Sequence, residues 1–261
     1  MKLGMINSYD AAAFDRVAAR GLDFIEICCN FDNETEALNS SGDAILADIN
    51  RTGVKIGSIG RWNALPNVGG KVDQNVVAAL EKSIDVAAKV GSPVFVCGCN
   101  ADDSVSLYRN LVCAVEYFGT LCEYAKTKGV RVAVYNCDWS NFCYGTDTWK
   151  IVLGELPDLG VKYDCSHACN RGTDYLRELD MWGDRVRHIH VKGTLNIGGR
   201  HVDDPPAGLD GLNWSAIMGI LYAHRYDGGL SIEPHSGIWQ GGLGEHGVDF
   251  TIEYMKKLLF R

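Results

Sequence analysis

Apolar residues alternate with polar or small ones in short runs along this chain, and between many of these runs lie stretches with helical apolar spacing. Eight runs read as strands: KLGMI, FIEICC, VKIGSI, PVFVCGC, VRVAVY, VKYDC, RHIHVK and GGLSIE. Their period of two and their Val and Ile content fit strands with at least one buried face. The segments AAAFDRVAARG, NVVAALEKSIDVAAKVG, LYRNLVCAVEYFGTLCEYAKTKG and NWSAIMGILYAHR predict helices. Gly21, Gly91 and Gly129 sit where helix C-terminal glycines belong. Repeated strand–helix alternation predicts a parallel sheet, and eight repeats predict a closed (β/α)8 barrel, the TIM barrel, as one α/β domain over residues 1–261. No GxGxxG turn follows the first strand, which argues against an open doubly wound sheet.

In such a barrel the active site is built at the C-terminal ends of the strands. Side chains along a strand alternate between the barrel interior and the helix layer. In VRVAVY, Val132 and Val134 face the helices, so Ala133 and Tyr135 face inward. In RHIHVK, His188, His190 and Lys192 face inward. In VKYDC, Val161 and Tyr163 face out and Asp164 in, and Ser231, Glu233 and His235 follow the same rule. Tyr135, Asp164, His190 and Glu233 are thereby aimed at one mouth. Glu26 reads as another strand-end carboxylate, placed to meet a sugar hydroxyl or to pair with Arg61. Arg61 and Trp62 in GRWN end the third strand with a cation and an aromatic, as sugar sites often do.

Composition narrows the class. A charge of −8 without any Lys/Arg run disfavours a nucleic-acid partner. No apolar run reaches the ~20 residues that span a bilayer. A cytoplasmic protein is expected, with its ten cysteines as buried thiols. Asp164, His190 and Glu233 form a carboxylate–imidazole–carboxylate set suited to Mn²⁺, Mg²⁺, Co²⁺, Fe²⁺ or Zn²⁺. A divalent cation there polarises a carbonyl, and a nearby carboxylate removes the adjacent proton.

The motifs YDCSHACNRGTD, HIHVKG, GTLNIGGRHVDDPPAGLDGLNW and SIEPHSG resemble the sugar phosphate isomerase/epimerase superfamily of xylose isomerase-like TIM barrels, which includes D-tagatose 3-epimerase and inosose dehydratase. The resemblance implies metal ligation by Asp164, His190 and Glu233. It places His167 and Lys192 at substrate or in proton transfer, with Glu233 doubling as base. It also marks a departure, because Tyr135 stands where the family's first metal-binding Glu usually stands, followed by Asn136 as in the common EN pair. Either Tyr135 acts on substrate as an acid, or Asn136 or Asp138 reaches the ion. Arg200 lies in a long loop after the seventh strand that is expected to cover the mouth and contact substrate.

The resemblance implies a metal-dependent isomerase or epimerase acting α to a carbonyl of a small sugar or polyol. The missing Glu opens two alternatives, a lyase or dehydratase on a keto-sugar or inosose, and a non-catalytic or partner-dependent barrel. A homo-oligomer is compatible with each. A DNA-repair nuclease of the endonuclease IV kind would want more His and Glu ligands and a basic face.

Overall fold

A computed structural model describes residues 1–260. The barrel strands are β1 (Lys2–Asn7), β2 (Phe24–Cys29), β3 (Lys55–Arg61), β4 (Val94–Cys97), β5 (Arg131–Tyr135), β6 (Gly160–Asp164), β7 (Val186–Val191) and β8 (Gly229–Ile232). They pair in parallel and in sequence order, and β8 closes on β1. The four predicted helices are present as Ala11–Ala19, Gln74–Lys89, Leu107–Thr127 and Trp214–Ala223. Their starts are set by side chains that accept from free backbone N–H groups: Asp10, Asp73, Ser106 and Asn213 each cap one helix. Gly91 and Gly129, just past two helix ends, take φ of 74° and 73°, where a side chain would be strained.

Strand parity separates two hydrophobic clusters. Ile25, Ile27, Val132, Val134, Val161, Tyr163, Ile189, Val191, Leu230 and Ile232 join the large cluster between barrel and helices. Val94, Val96, Ala133 and Tyr135 pack with Trp62 inside the barrel. The amino end of the barrel is filled by the buried Phe24 ring, and any Cβ placed at Gly4, Gly57 or Gly229 would collide with it. Those three glycines therefore serve close packing around one aromatic plug. The barrel is open only at its carboxyl end.

Two register shifts set the heights of interior residues. Between β2 and β3, Ile25 lies opposite Ile56 but Glu26 lies opposite Ser58, skipping Gly57. Between β6 and β7, Val161 lies opposite Val186 but Lys162 opposite His188, skipping Arg187. The loop after β7 forms an antiparallel ribbon, Leu195–Ile197 with Arg200–Asp203. It turns toward the segment after β8, where the Ser236 hydroxyl donates to Asp203 at 2.5 Å and His235 lies 3.4 Å from Asp204. Contrary to expectation, it does not roof the open cavity, and Arg200 stands exposed on the ribbon. No helix is long and apolar enough to cross a membrane among the described residues.

Candidate active site at the carboxyl end of the barrel

Asp164 ends β6 and caps the short helix Cys165–Asn170. Its Oδ1 accepts from the Ser166 backbone (2.8 Å) and hydroxyl (2.7 Å). Its Oδ2 is buried and has no hydrogen-bond partner among the described residues. Asn136 fixes the Asp164 backbone from both sides, its amide donating to the Asp164 carbonyl (2.8 Å) and its oxygen accepting from the Asp164 N–H (2.9 Å). Asn136 is thus spent on positioning, and Asp138 is exposed. Neither supplies a fourth ligand.

His190 lies between two carboxylates. Its Nδ1 is 2.8 Å from Glu233 Oε2, and its Nε2 is 3.0 Å from Glu26 Oε2. Ionised carboxylates only accept, so both ring nitrogens carry protons while no metal is bound. Burial would lower the His190 pKa, but Glu26 and Glu233 raise it instead. For Glu26 and Glu233, burial alone would raise the carboxyl, and their neighbours, His190 foremost, hold both well below the usual carboxylate range.

Ligand atoms of Asp164, His190 and Glu233 all lie within 4.8 Å of one another. Atoms sharing one cation at ~2.1 Å are separated by up to ~4.2 Å, so a small contraction suffices. The orphaned Asp164 oxygen, the short His190–Glu233 contact and the mixed nitrogen and oxygen donors fit a divalent cation. Glu26, His188 and His190 also cluster. There Glu26 is fully buried, 2.8 Å from His188 Nε2, with Ser58 Oγ 3.4 Å behind. Since β2 runs on to Cys29, Glu26 is not a strand-end residue. It supports two imidazoles from below and does not reach a substrate hydroxyl.

Tyr135 also departs from expectation. Its ring stacks on Trp62 (centroids 5.6 Å apart, planes 15°), and its hydroxyl donates to the Trp139 carbonyl at 2.9 Å. A Cβ on Gly98 would strike the Tyr135 ring and hydroxyl, and one on Gly60 would strike Trp62. Burial pushes the phenol further up. This side chain is fully buried outside the cavity lining, and its proton is committed to Trp139. Arg61 is likewise committed, with its guanidinium donating to Asp32 (2.7 Å) and to the carbonyls of Asn30 and Trp62.

A cavity of about 230 Å³ opens above these groups, lined among others by Trp62, Lys162, His167, Lys192, Glu233 and His235. A larger groove of about 670 Å³ lies outside the barrel beside Asp32–Asn39, away from the triad. His167 Nε2 is 3.5 Å from Asp164 Oδ2, and burial pulls its pKa down to about 4. Burial would lower Lys192, but Asp164 and Glu233 keep it raised. Lys162, buried on β6 with the same parity as Asp164, also reaches this cavity. Two residues before Asp164 on the same strand, Lys162 falls on the same side by alternation. Neither lysine forms a salt bridge: among the described residues no carboxylate oxygen lies within 4.0 Å of either ammonium.

The family model for the xylose isomerase-like TIM barrel matches residues 14–258. No curated protein sequence matches the chain. Solved structures with the same fold include a D-tagatose 3-epimerase-like protein (TM-score 0.78, 16% identity, 99% of this chain and 98% of that one). Also similar are the 3-keto-D-glucoside 4-epimerase of E. coli (0.76, 16%, 98% and 99%) and a probable 3-DHS dehydratase of Bacillus anthracis (0.75, 14%, 98% and 99%). At such identities the likeness shows the fold alone. With the family model spanning nearly all of its length, this chain belongs to the xylose isomerase-like TIM barrel family.

Proposed function

We propose that this protein is a divalent-metal-dependent lyase that removes water from a small hydroxycarbonyl compound of the sugar or polyol kind. One observation carries the reading. Among the described residues Glu233 is the only carboxylate lining the cavity, and at the strand end where the family usually has a second acid/base carboxylate stands Tyr135, fully buried against Trp62 with its hydroxyl held by the Trp139 carbonyl. Inversion at one carbon by two opposed bases is poorly served, whereas elimination needs one base and one acid.

Asp164, His190 and Glu233 would hold the cation, which supplies polarisation of the substrate carbonyl when bound. The Glu233 oxygen that makes no hydrogen bond takes the proton from the carbon next to that carbonyl. The C–H electron pair becomes the new C=C bond as the C–O bond one carbon further breaks. Lys192 protonates the departing hydroxide to water, and the proton on Glu233 then passes through solvent to Lys192, which resets both groups. Trp62 offers an apolar floor for a ring.

A second reading is proton transfer between adjacent carbons by Glu233 alone, as in a ketose–aldose isomerase. The epimerase names of two structural neighbours go with proton transfer without loss of water, and the dehydratase name of the third goes with the first reading. The test is a panel of hydroxyketones incubated with the Mn²⁺-loaded protein in D₂O, followed by ultraviolet absorbance and mass spectrometry. Loss of water is expected, reduced by ~10²–10⁴ in Glu233→Gln. Exchange of deuterium into an unchanged carbon skeleton without water loss selects the isomerase. Turnover indifferent to chelator and to Glu233→Gln refutes both.

A further inference from the structure

The proposed elimination employs Lys192 and leaves Lys162 without a task. Lys162 is 1% exposed, and it shares its cavity with Lys192, 4% exposed. Among the described residues neither ammonium has a hydrogen bond or a carboxylate within 4.0 Å. Burying one such charge without a partner is expensive, and burying two beside one cavity more so. The Lys162 ammonium lies 5.8 Å from the Trp62 ring centroid, a cation–π contact that offsets only part of that cost.

In the chain without metal, Asp164 and Glu233 balance the two lysines across the cavity, without touching them. A divalent cation held by Asp164, His190 and Glu233 takes up that negative charge. The Lys162 ammonium is then uncompensated, while Lys192 keeps Asp204 nearby, and both face the space a substrate would fill. A neutral sugar leaves Lys162 so.

Lys162 has a specific position as well as a charge. Its Cα is the register partner of Tyr135, the residue that replaces the family's usual carboxylate. Among the described residues no guanidinium lines the cavity, and the nearby Arg61 and Arg171 are held by Asp32 and by the carbonyls of Asn136 and Tyr144. A small, flat anion suits this better than a phosphate, which commonly draws on guanidinium forks or backbone N–H groups.

Resting on the metal-dependent reading above, we infer that the substrate carries a carboxylate, that Lys162 is its seat, and that metal and carboxylate strengthen each other's binding. The substrate class is a hydroxycarbonyl acid, not an uncharged sugar. Lys162 is a specificity-determining residue.

The test is isothermal titration of the full chain with glycerate, its neutral amide glyceramide and inorganic phosphate, each with and without Mn²⁺. Glycerate is expected to bind the Mn²⁺-loaded protein at least ~tenfold more tightly than glyceramide, as befits charge-assisted hydrogen bonds. Lys162→Met should erase that preference while still binding Mn²⁺. The amide comparison on the unaltered chain stands even if the variant fails to fold. Equal affinity for glycerate and glyceramide in the Mn²⁺-loaded protein overturns the carboxylate seat and leaves the lyase reading untouched. Preference for phosphate over glycerate overturns it also. Glycerate binding that needs Lys162 but occurs in a protein taking up no Mn²⁺ overturns the metal reading and the coupling, and keeps the seat.

Discussion

Glu26→Gln tests the support beneath the metal triad. The substitution preserves shape and removes one charge from a fully buried carboxylate that meets His188 at 2.8 Å and His190 at 3.0 Å. A Gln amide offers one acceptor to two N–H groups, and its NH₂ points a donor at a donor. Breaking a buried pair from one side costs ~3–5 kcal/mol, and the low end, ~3 kcal/mol, applies because both imidazoles can become neutral. For a chain of this size that corresponds to a fall of ~6–12 °C in Tm. Groups that orient a ligating imidazole are worth ~10–100-fold in metal affinity, so Mn²⁺ binding should weaken within that range. Urea denaturation and Mn²⁺ titration of the same preparation measure both effects. A variant as stable as the parent, with unchanged Mn²⁺ affinity, would refute the role assigned to Glu26.

Two further outcomes follow from the geometry. Tyr135→Phe removes the bond to the Trp139 carbonyl and should cost ~1–3 kcal/mol in denaturation, with turnover in the panel assay kept within about tenfold. A complete loss of turnover in a folded variant would make the phenol catalytic after all. Acid should destabilise the fold steeply: Glu26, Asp164 and Glu233 are all depressed, so their contribution is present above the ordinary carboxylate pKa and is lost as pH falls through their folded values. The imidazoles oppose each other. His167 removes stability as pH falls from the ordinary histidine value toward about 4, and His190, raised, contributes below that ordinary value and loses it as pH rises through its folded one. Denaturant midpoints across the acid range, falling as unfolding takes up protons, check this; a flat profile would contradict it.

Strand order and in/out parity were legible because alternation is a local property. RHIHVK and VKYDC each tell which side chains enter the barrel, and Asp164, His190 and Glu233 follow. Height along the barrel axis is not local. Glu26 looked equivalent to Asp164, yet three more residues of β2 follow it and the skipped Gly57 shifts its partner, so it ends beneath the mouth. The partners of Tyr135 and Arg61 lie in loops whose conformation no periodicity encodes. Lys162 shares the parity of Asp164, but that no carboxylate among the described residues comes within 4.0 Å of it depends on distances that only the folded barrel sets.

The Tyr135–Trp62 stack is an inlay seated over Gly98 and Gly60, and this makes the departure from the family's usual glutamate hard to undo. Putting glutamate back at 135 would empty the volume of a phenol ring, strip Trp62 of its stacking face, release the Trp139 carbonyl and set a new carboxylate beside Lys162. The tyrosine, the tryptophan and the two glycines are therefore fitted to one another, and exchanging the tyrosine alone leaves the other three without their counterpart.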